Sequence, residues 1–226
     1  MQYKKLLMCC LLTATPAFAD ADIDIDYSSA QPLFDYMEQV MAEHPNASLD
    51  ELDEIVKEHF SSQRLAESED GSDLEYAGVV DEFLPSHAKL NDAEKSLFNG
   101  SPWRGLRVIN AGRLASNSSF ELYSEGHWNG NADAYRHCYW NNLMVMHTDQ
   151  DFAKAWGNAH EENPNNPPLE KWMDISNNND GRRLAANHRS DSDKERSSRC
   201  LQGVINKRLV RIVDGKIVPT DGTGQK

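Results

Sequence analysis

The sequence predicts a mainly α fold, a helical domain with a short C-terminal β-hairpin. Three observations carry this. Apolar residues recur at three- and four-residue spacing, as in Leu33, Tyr36, Met37, Val40 and Met41. Helix-start signatures repeat, with Ser48-Leu49-Asp50-Glu51 and Asn91-Asp92-Ala93-Glu94 the clearest. Strand-type runs, Leu209–Val213 and Lys216–Val218, occur only near the end, where they flank Asp214-Gly215, a two-residue hairpin signal.

Taken in order, Pro32 to His44 reads as a helix. A second opens at Ser48 and runs to Phe60 on the stripe Leu52, Ile55, Val56 and Phe60. Ser61 to Ser72 is polar and reads as a linker. A third helix spans Asp73 to Leu84, stopped by Pro85. A fourth starts at Asn91, and Gly100-Ser101-Pro102 separates it from one running from Trp103 to about Ala115. Asn117 to Gly130 reads as loop. Asn131 caps a helix to His147, Thr148 caps one to about Glu162, Ser176 opens one to Asn187, and Ser192 to Lys207 is a last, basic helix. The tail after Pro219 is rich in turn residues.

The first nineteen residues read as an export signal: Lys4 and Lys5, the apolar run Leu6 to Thr15, then Ala17-Phe18-Ala19 before Asp20. That run is about half the length a membrane span needs, and no later segment is apolar enough to cross a bilayer. The expected product is therefore exported, periplasmic or secreted. Cys9 and Cys10 would leave with the leader. Cys138 and Cys200 would then be bridged in an oxidising compartment, with two buried free thiols as the alternative.

Net charge is -13, which argues against a general nucleic-acid binder. It is unevenly spread. From 20 to 86 there are 19 acids against two bases; from 87 onward, 17 acids and 19 bases. The expected organisation is a leader at 1–19, an acidic helical segment at 20–86, and a helical catalytic domain with the hairpin at 87–226. The stretch from Arg182 to Arg211 holds nine bases and three acids, so the acidic segment is expected to dock there.

Chemistry concentrates between Asp133 and Arg183. Asp133, His137 and Asn141 stand at i, i+4 and i+8 of one helix and share a face. A carboxylate one turn before a histidine can fix its tautomer. His160-Glu161 closes the next helix. Two antiparallel helices joined at Met146–Asp149 would bring His137 and His160 to a similar level. Met173-Asp174 with Asn177, Asn178 and Arg182 supplies further oxygen ligands and a cation. His137, His160, Glu161 and Asp174 would carry catalysis and form an N/O set suited to a divalent metal, zinc favoured. Arg136, Asn177, Asn178 and Arg182 would hold substrate, and Asp133 and Asn141 would support the site. No contiguous zinc motif is present.

Three pieces, in order, carry a resemblance: Asn131-Ala132-Asp133-Ala134-Tyr135-Arg136-His137-Cys138-Tyr139-Trp140-Asn141; Ala159-His160-Glu161; and Met173-Asp174 with Asn177-Asn178 and Gly181-Arg182. Leu90 to about Ala186 resembles a bacterial domain family of unknown function found at the C-terminal ends of wall-associated, Rhs-type and other polymorphic-toxin-like proteins. The resemblance implies an all-helical domain and hints at an enzyme or toxin. Cys138 after the histidine departs from the family pattern. The expected function is an exported hydrolase, metal-dependent or not, acting on a phosphodiester or phospholipid. A peptidoglycan hydrolase using Glu161 and Asp174 is one alternative. The other is a non-catalytic periplasmic binding module whose His/Asn cluster is structural. The expected partners are a lipid or cell-wall substrate and, for a toxin, an immunity protein of unknown identity.

Overall fold

The computed structural model describes residues 27–67, 76–84, 88–162 and 166–226. The leader, with Cys9 and Cys10, lies outside them. After a 3-10 turn at Ser28–Ala30 come α1 (Gln31–Glu43), α2 (Leu49–Glu67), α3 (Tyr76–Phe83), α4 (Asp92–Gly100), α5 (Pro102–Leu122), α6 (Asn131–His147), α7 (Gln150–His160), α8 (Pro168–Asn187) and α9 (Asp193–Ile205). A two-stranded antiparallel hairpin follows, β1 (Val210–Val213) and β2 (Lys216–Pro219), paired Val210 to Pro219 and Val213 to Lys216. The fold is mainly α with a C-terminal hairpin, as the sequence predicts. Asp214 and Gly215 turn the hairpin with positive φ angles of 50° and 69°, the geometry their types favour.

Three element boundaries differ from the sequence reading. α2 continues into the expected linker, as far as Glu67, because polar residues do not stop a helix that lacks glycine or proline. α5 continues to Leu122. The serines read as loop are packing residues: Ser119 is buried and donates to the Ala132 carbonyl at 3.0 Å, and Ser118 lies 2.7 Å from the Tyr135 hydroxyl. α8 opens at Pro168 rather than Ser176, since proline in the first turn forfeits no hydrogen bond. Two caps also move. Gly130 precedes α6, while the Asn131 amide reaches Asp221 at 2.7 Å. Asp149 caps α7, while the Thr148 hydroxyl bonds back to Met144.

One hydrophobic core runs from Ala30 to Leu209. The acidic N-terminal helices do not lie along the basic stretch as expected; α1 and α2 pack on α5, and α3 on α4. Leu33, Val40, Leu52, Val56 and Phe60 are all buried there. Apolar area, not charge pairing, sets this arrangement. Arg104 of α5 adds ion pairs to Asp50 and Asp53 of α2 and to Asp149 before α7.

At the centre α6 contacts α5, α7, α8 and α9. It is buried nearly all round, from Asn131 to Met144, as expected of a helix enclosed by others. Cys138 and Cys200 form a disulfide that ties α6 to α9. Against α8 the backbones come close at Gly181, where a Cβ would collide with the Cys138 carbonyl oxygen. Only glycine lets the two backbones come so near.

Candidate functional site

Two side-chain rows face each other across the α6–α8 contact. Asp133, His137 and Asn141 line α6; Asp174, Asn178 and Arg182 line α8 at the same four-residue interval. The helices run parallel, so the rows match rung for rung. The Arg182 guanidinium donates to Asn141 Oδ1. Asn141 Nδ2 donates to Asn178 Oδ1 at 2.6 Å, and Asn178 Nδ2 donates to Glu161 Oε1 at 3.3 Å. A cation at one end and a carboxylate at the other fix the direction of every amide in this chain.

That direction sets the histidine tautomer. Asn178 Oδ1, an acceptor, lies 3.1 Å from His137 Nδ1, so Nδ1 carries the hydrogen and Nε2 keeps its lone pair. His137 is 3% exposed. Burial first, then the charges of Arg136 and His160, push its pKa well below the ordinary histidine value, so the ring is neutral near pH 7. Its Nε2 faces Arg136 Nη2 at 3.0 Å, Asp174 Oδ1 at 3.3 Å and Asp133 Oδ1 at 3.5 Å. Arg136 also bonds Asp133 Oδ1. The other Asp133 oxygen accepts from the Asn129 backbone N–H at 2.7 Å. Burial, then the charges of Asp133 and Glu161, push Asp174 up to about 9. Glu161, 1% exposed, accepts from Asn178 and, at 2.9 Å, from Asn166. Burial outweighs those bonds and raises its pKa.

His160 has a different setting. Its Nδ1 donates to Glu94 Oε1 at 2.7 Å, and Glu94 is buried while 43% of the His160 side chain meets water. Both rings flank Trp140, His137 at 6.3 Å and His160 at 4.9 Å between centroids. The two histidines therefore share one region, no further apart than those separations combined, as the helix-hairpin spacing predicts. Burial would lower the His160 pKa, but the Glu94 hydrogen bond and charge, with the Glu161 charge, hold it above the ordinary value. Glu94 was not among the expected site residues. Its other oxygen completes the α4 capping box with Asn91, and Asn91 Nδ2 bonds the Ala159 carbonyl at 2.9 Å, which fixes α4 against the end of α7.

Other expected roles change. Asn177, expected to hold substrate, clamps strand β1: its amide donates to the Val210 carbonyl at 2.9 Å and accepts from the Val210 N–H at 3.0 Å. Arg182, expected to hold an anion, is 4% exposed and engaged by Asn141 and Asn179. The expected metal set was His137, His160, Glu161 and Asp174. Among the described residues the ligand atoms that converge, all within 4.8 Å, are those of Asp133, His137 and Asp174. His160 and Glu161 are turned to Glu94 and to the amides instead.

An α-helical domain with a buried His/Asp/Asn ladder and a water-facing histidine is the class this geometry defines. Residues 95–208 match the model of a domain of unknown function, DUF6973. The match covers half of the chain, and the chain belongs to this family. The matched span holds every site residue above except Glu94, which stands one position before it. No curated protein and no solved structure matches the chain.

Proposed function

We propose that the protein is an exported hydrolase that works by acid–base chemistry at the edge of the α6–α7–α8 cluster, on a phosphodiester or a phospholipid head group. The observation that carries this reading is His160, water-accessible and oriented by the buried Glu94. With Nδ1–H committed to that carboxylate, Nε2 is the atom that takes a proton from water. The raised pKa makes the protonated ring a ready donor to the leaving group afterwards. Arg136, 27% exposed, lies 3.0 Å from His137 and its charge reaches His160, and it suits an anionic group. Export is supported by the leader-like N-terminus and agrees with the disulfide. A toxin role, with an immunity protein as partner, is the finer form of this reading.

The phosphoester reading is favoured over peptidoglycan because Glu161, the carboxyl a glycan hydrolase would use, is buried and held by two amides. The non-catalytic alternative draws on the same ladder: Asn141, Asn178 and Arg182 are closed to solvent and bonded to one another, as a packing network would be. Assays of the purified protein on bis(p-nitrophenyl) phosphate, phospholipid vesicles and peptidoglycan decide between them. Turnover of a phosphoester is expected. It should fall roughly 10²–10⁴-fold in His160→Ala while the protein stays folded. No turnover on any substrate, or turnover undiminished in His160→Ala, overturns the proposal.

A further inference from the structure

We propose that Asp133, His137 and Asp174 bind one divalent cation, which enters by exchange with the Arg136 guanidinium. The site shares neither His160 nor Glu94 with the acid–base reading and stands without it.

Ligand separations carry the first part. Groups bound to a metal at ~2.1 Å lie ~3.0–3.5 Å apart at octahedral to tetrahedral angles. Nε2 of His137 is 3.3 Å from Asp174 Oδ1 and 3.5 Å from Asp133 Oδ1. The ladder's direction leaves Nε2 without a hydrogen, so the ring donates to neither carboxylate; once a cation displaces the Asp174 proton, three ligand atoms face one another within 4.8 Å. Asp174 Oδ1 is buried and has no hydrogen-bond partner among the described residues. An atom so placed forfeits its hydration unless a cation or a donor meets it.

The surroundings orient the ligands as a metal site requires. Asn178 holds Nδ1 of His137 from behind, and the Asn129 N–H holds the outer oxygen of Asp133. Such outer bonds fix the tautomer and the direction of the ligating atoms. Two carboxylate oxygens and one imidazole nitrogen suit zinc or manganese, and three protein ligands leave positions open for water or substrate.

Arg136 explains how the cluster holds together without a metal. Its Nη2 touches both Asp133 Oδ1 and His137 Nε2, so a guanidinium nitrogen engages two of the three ligand atoms that the ion would hold. It delivers a single charge between two aspartates. It is also the member of the cluster with a route out, being 27% exposed on a long side chain. A divalent ion taking its place would satisfy Asp174 Oδ1 as well and would free the guanidinium for an incoming anion.

The test uses untagged, EDTA-stripped protein titrated calorimetrically with zinc and with manganese chloride, and metal analysis after gel filtration. One ion per chain is expected in the wild type, with a higher melting temperature. Asp174→Asn, close in shape, should lose both the ion and the thermal shift. Asn178→Ala should weaken binding about 10–100-fold. Arg136→Met should bind more tightly than the wild type, while His160→Ala should bind as the wild type does. No ion retained by the wild type, or equal retention by Asp174→Asn, overturns the site. Binding by Arg136→Met that is no tighter overturns the exchange.

Discussion

At the residue scale, two histidines of one cluster are tuned in opposite directions. His137 is enclosed beside Arg136 and stays neutral. His160 opens to water beside Glu94 and keeps its proton longer than a free histidine does. The opposition follows from which group each ring faces, and it gives His160 a signature of its own in pH. Because the folded-state pKa is raised, the stability it contributes is fully present below the unfolded value of ~6.5 and is lost as pH rises through the folded value. Glu94→Gln keeps the shape and removes the charge. NMR titration of the His160 ring should show a lower pKa in the variant. Its melting temperature should fall furthest below the wild type at acid pH, and the gap should narrow as pH rises. An unchanged ring titration would mean that Glu94 serves the α4 cap alone. That double duty is why Glu94 was not legible in the sequence: Asn91-x-x-Glu94 is fully accounted for as a capping box, and nothing local shows that a second carboxylate oxygen reaches a histidine 66 residues away.

At the element scale, the site depends on one close helix contact. α6 and α8 lie parallel with matched four-residue rows, and Gly181 is the position where α8 nearly touches the α6 backbone. A methyl group there meets a main-chain carbonyl, which cannot rotate aside as a side chain could. Gly181→Ala should therefore lift α8 from α6 and lower the unfolding free energy by ~1–3 kcal/mol or more, read as a shift in urea midpoint. The Asn178–His137 bond should lengthen with it, exposing the His137 N–H to faster exchange. A midpoint equal to the wild type would mean the helices have room to spare. Much of this level was legible. The i, i+4, i+8 spacing of Asp133, His137 and Asn141 placed one row on one face, and the short link before Gln150 brought His160 alongside. The other row was only half visible. Reading Ser176 as a helix start left Asp174 outside the helix, whereas α8 begins at Pro168 and carries Asp174, Asn178 and Arg182 as a continuous stripe. Charge identity did not show that Arg182 is spent inside the ladder or that Asn177 is spent on β1, because both depend on partners far along the chain.

At the scale of the whole molecule, the strong acidity of the N-terminal part suggested docking by charge, and the outcome instead follows from buried area. Leu33, Val40, Val56 and Phe60 join the common core, and apolar contact of this kind does not weaken as salt screens charge. The charges that matter are few. Arg104, 15% exposed in its side chain, bridges α2, α5 and the start of α7. Its partner Asp53 is buried, and burial pushes the Asp53 pKa up even with Arg104 beside it. Asp50 is largely exposed and adds little. Removing the arginine leaves a buried carboxylate without its counter-charge, which costs ~3–5 kcal/mol in such settings. Arg104→Ala should therefore lower the unfolding midpoint substantially near neutral pH. Acid should soften the loss: a raised folded-state pKa costs stability as pH rises above the unfolded carboxylate value, and protonated Asp53 needs no partner. Adding Asp53→Leu to Arg104→Ala should restore most of the midpoint, since the orphaned charge is then gone. Hydrogen exchange would locate the effect, with faster exchange in α1 and α2 of the single variant and little change in α8 or α9. A loss equal at acid and neutral pH, or a double variant no better than the single one, would show that Arg104 acts through packing of its aliphatic stem and that apolar area alone holds the N-terminal helices in place.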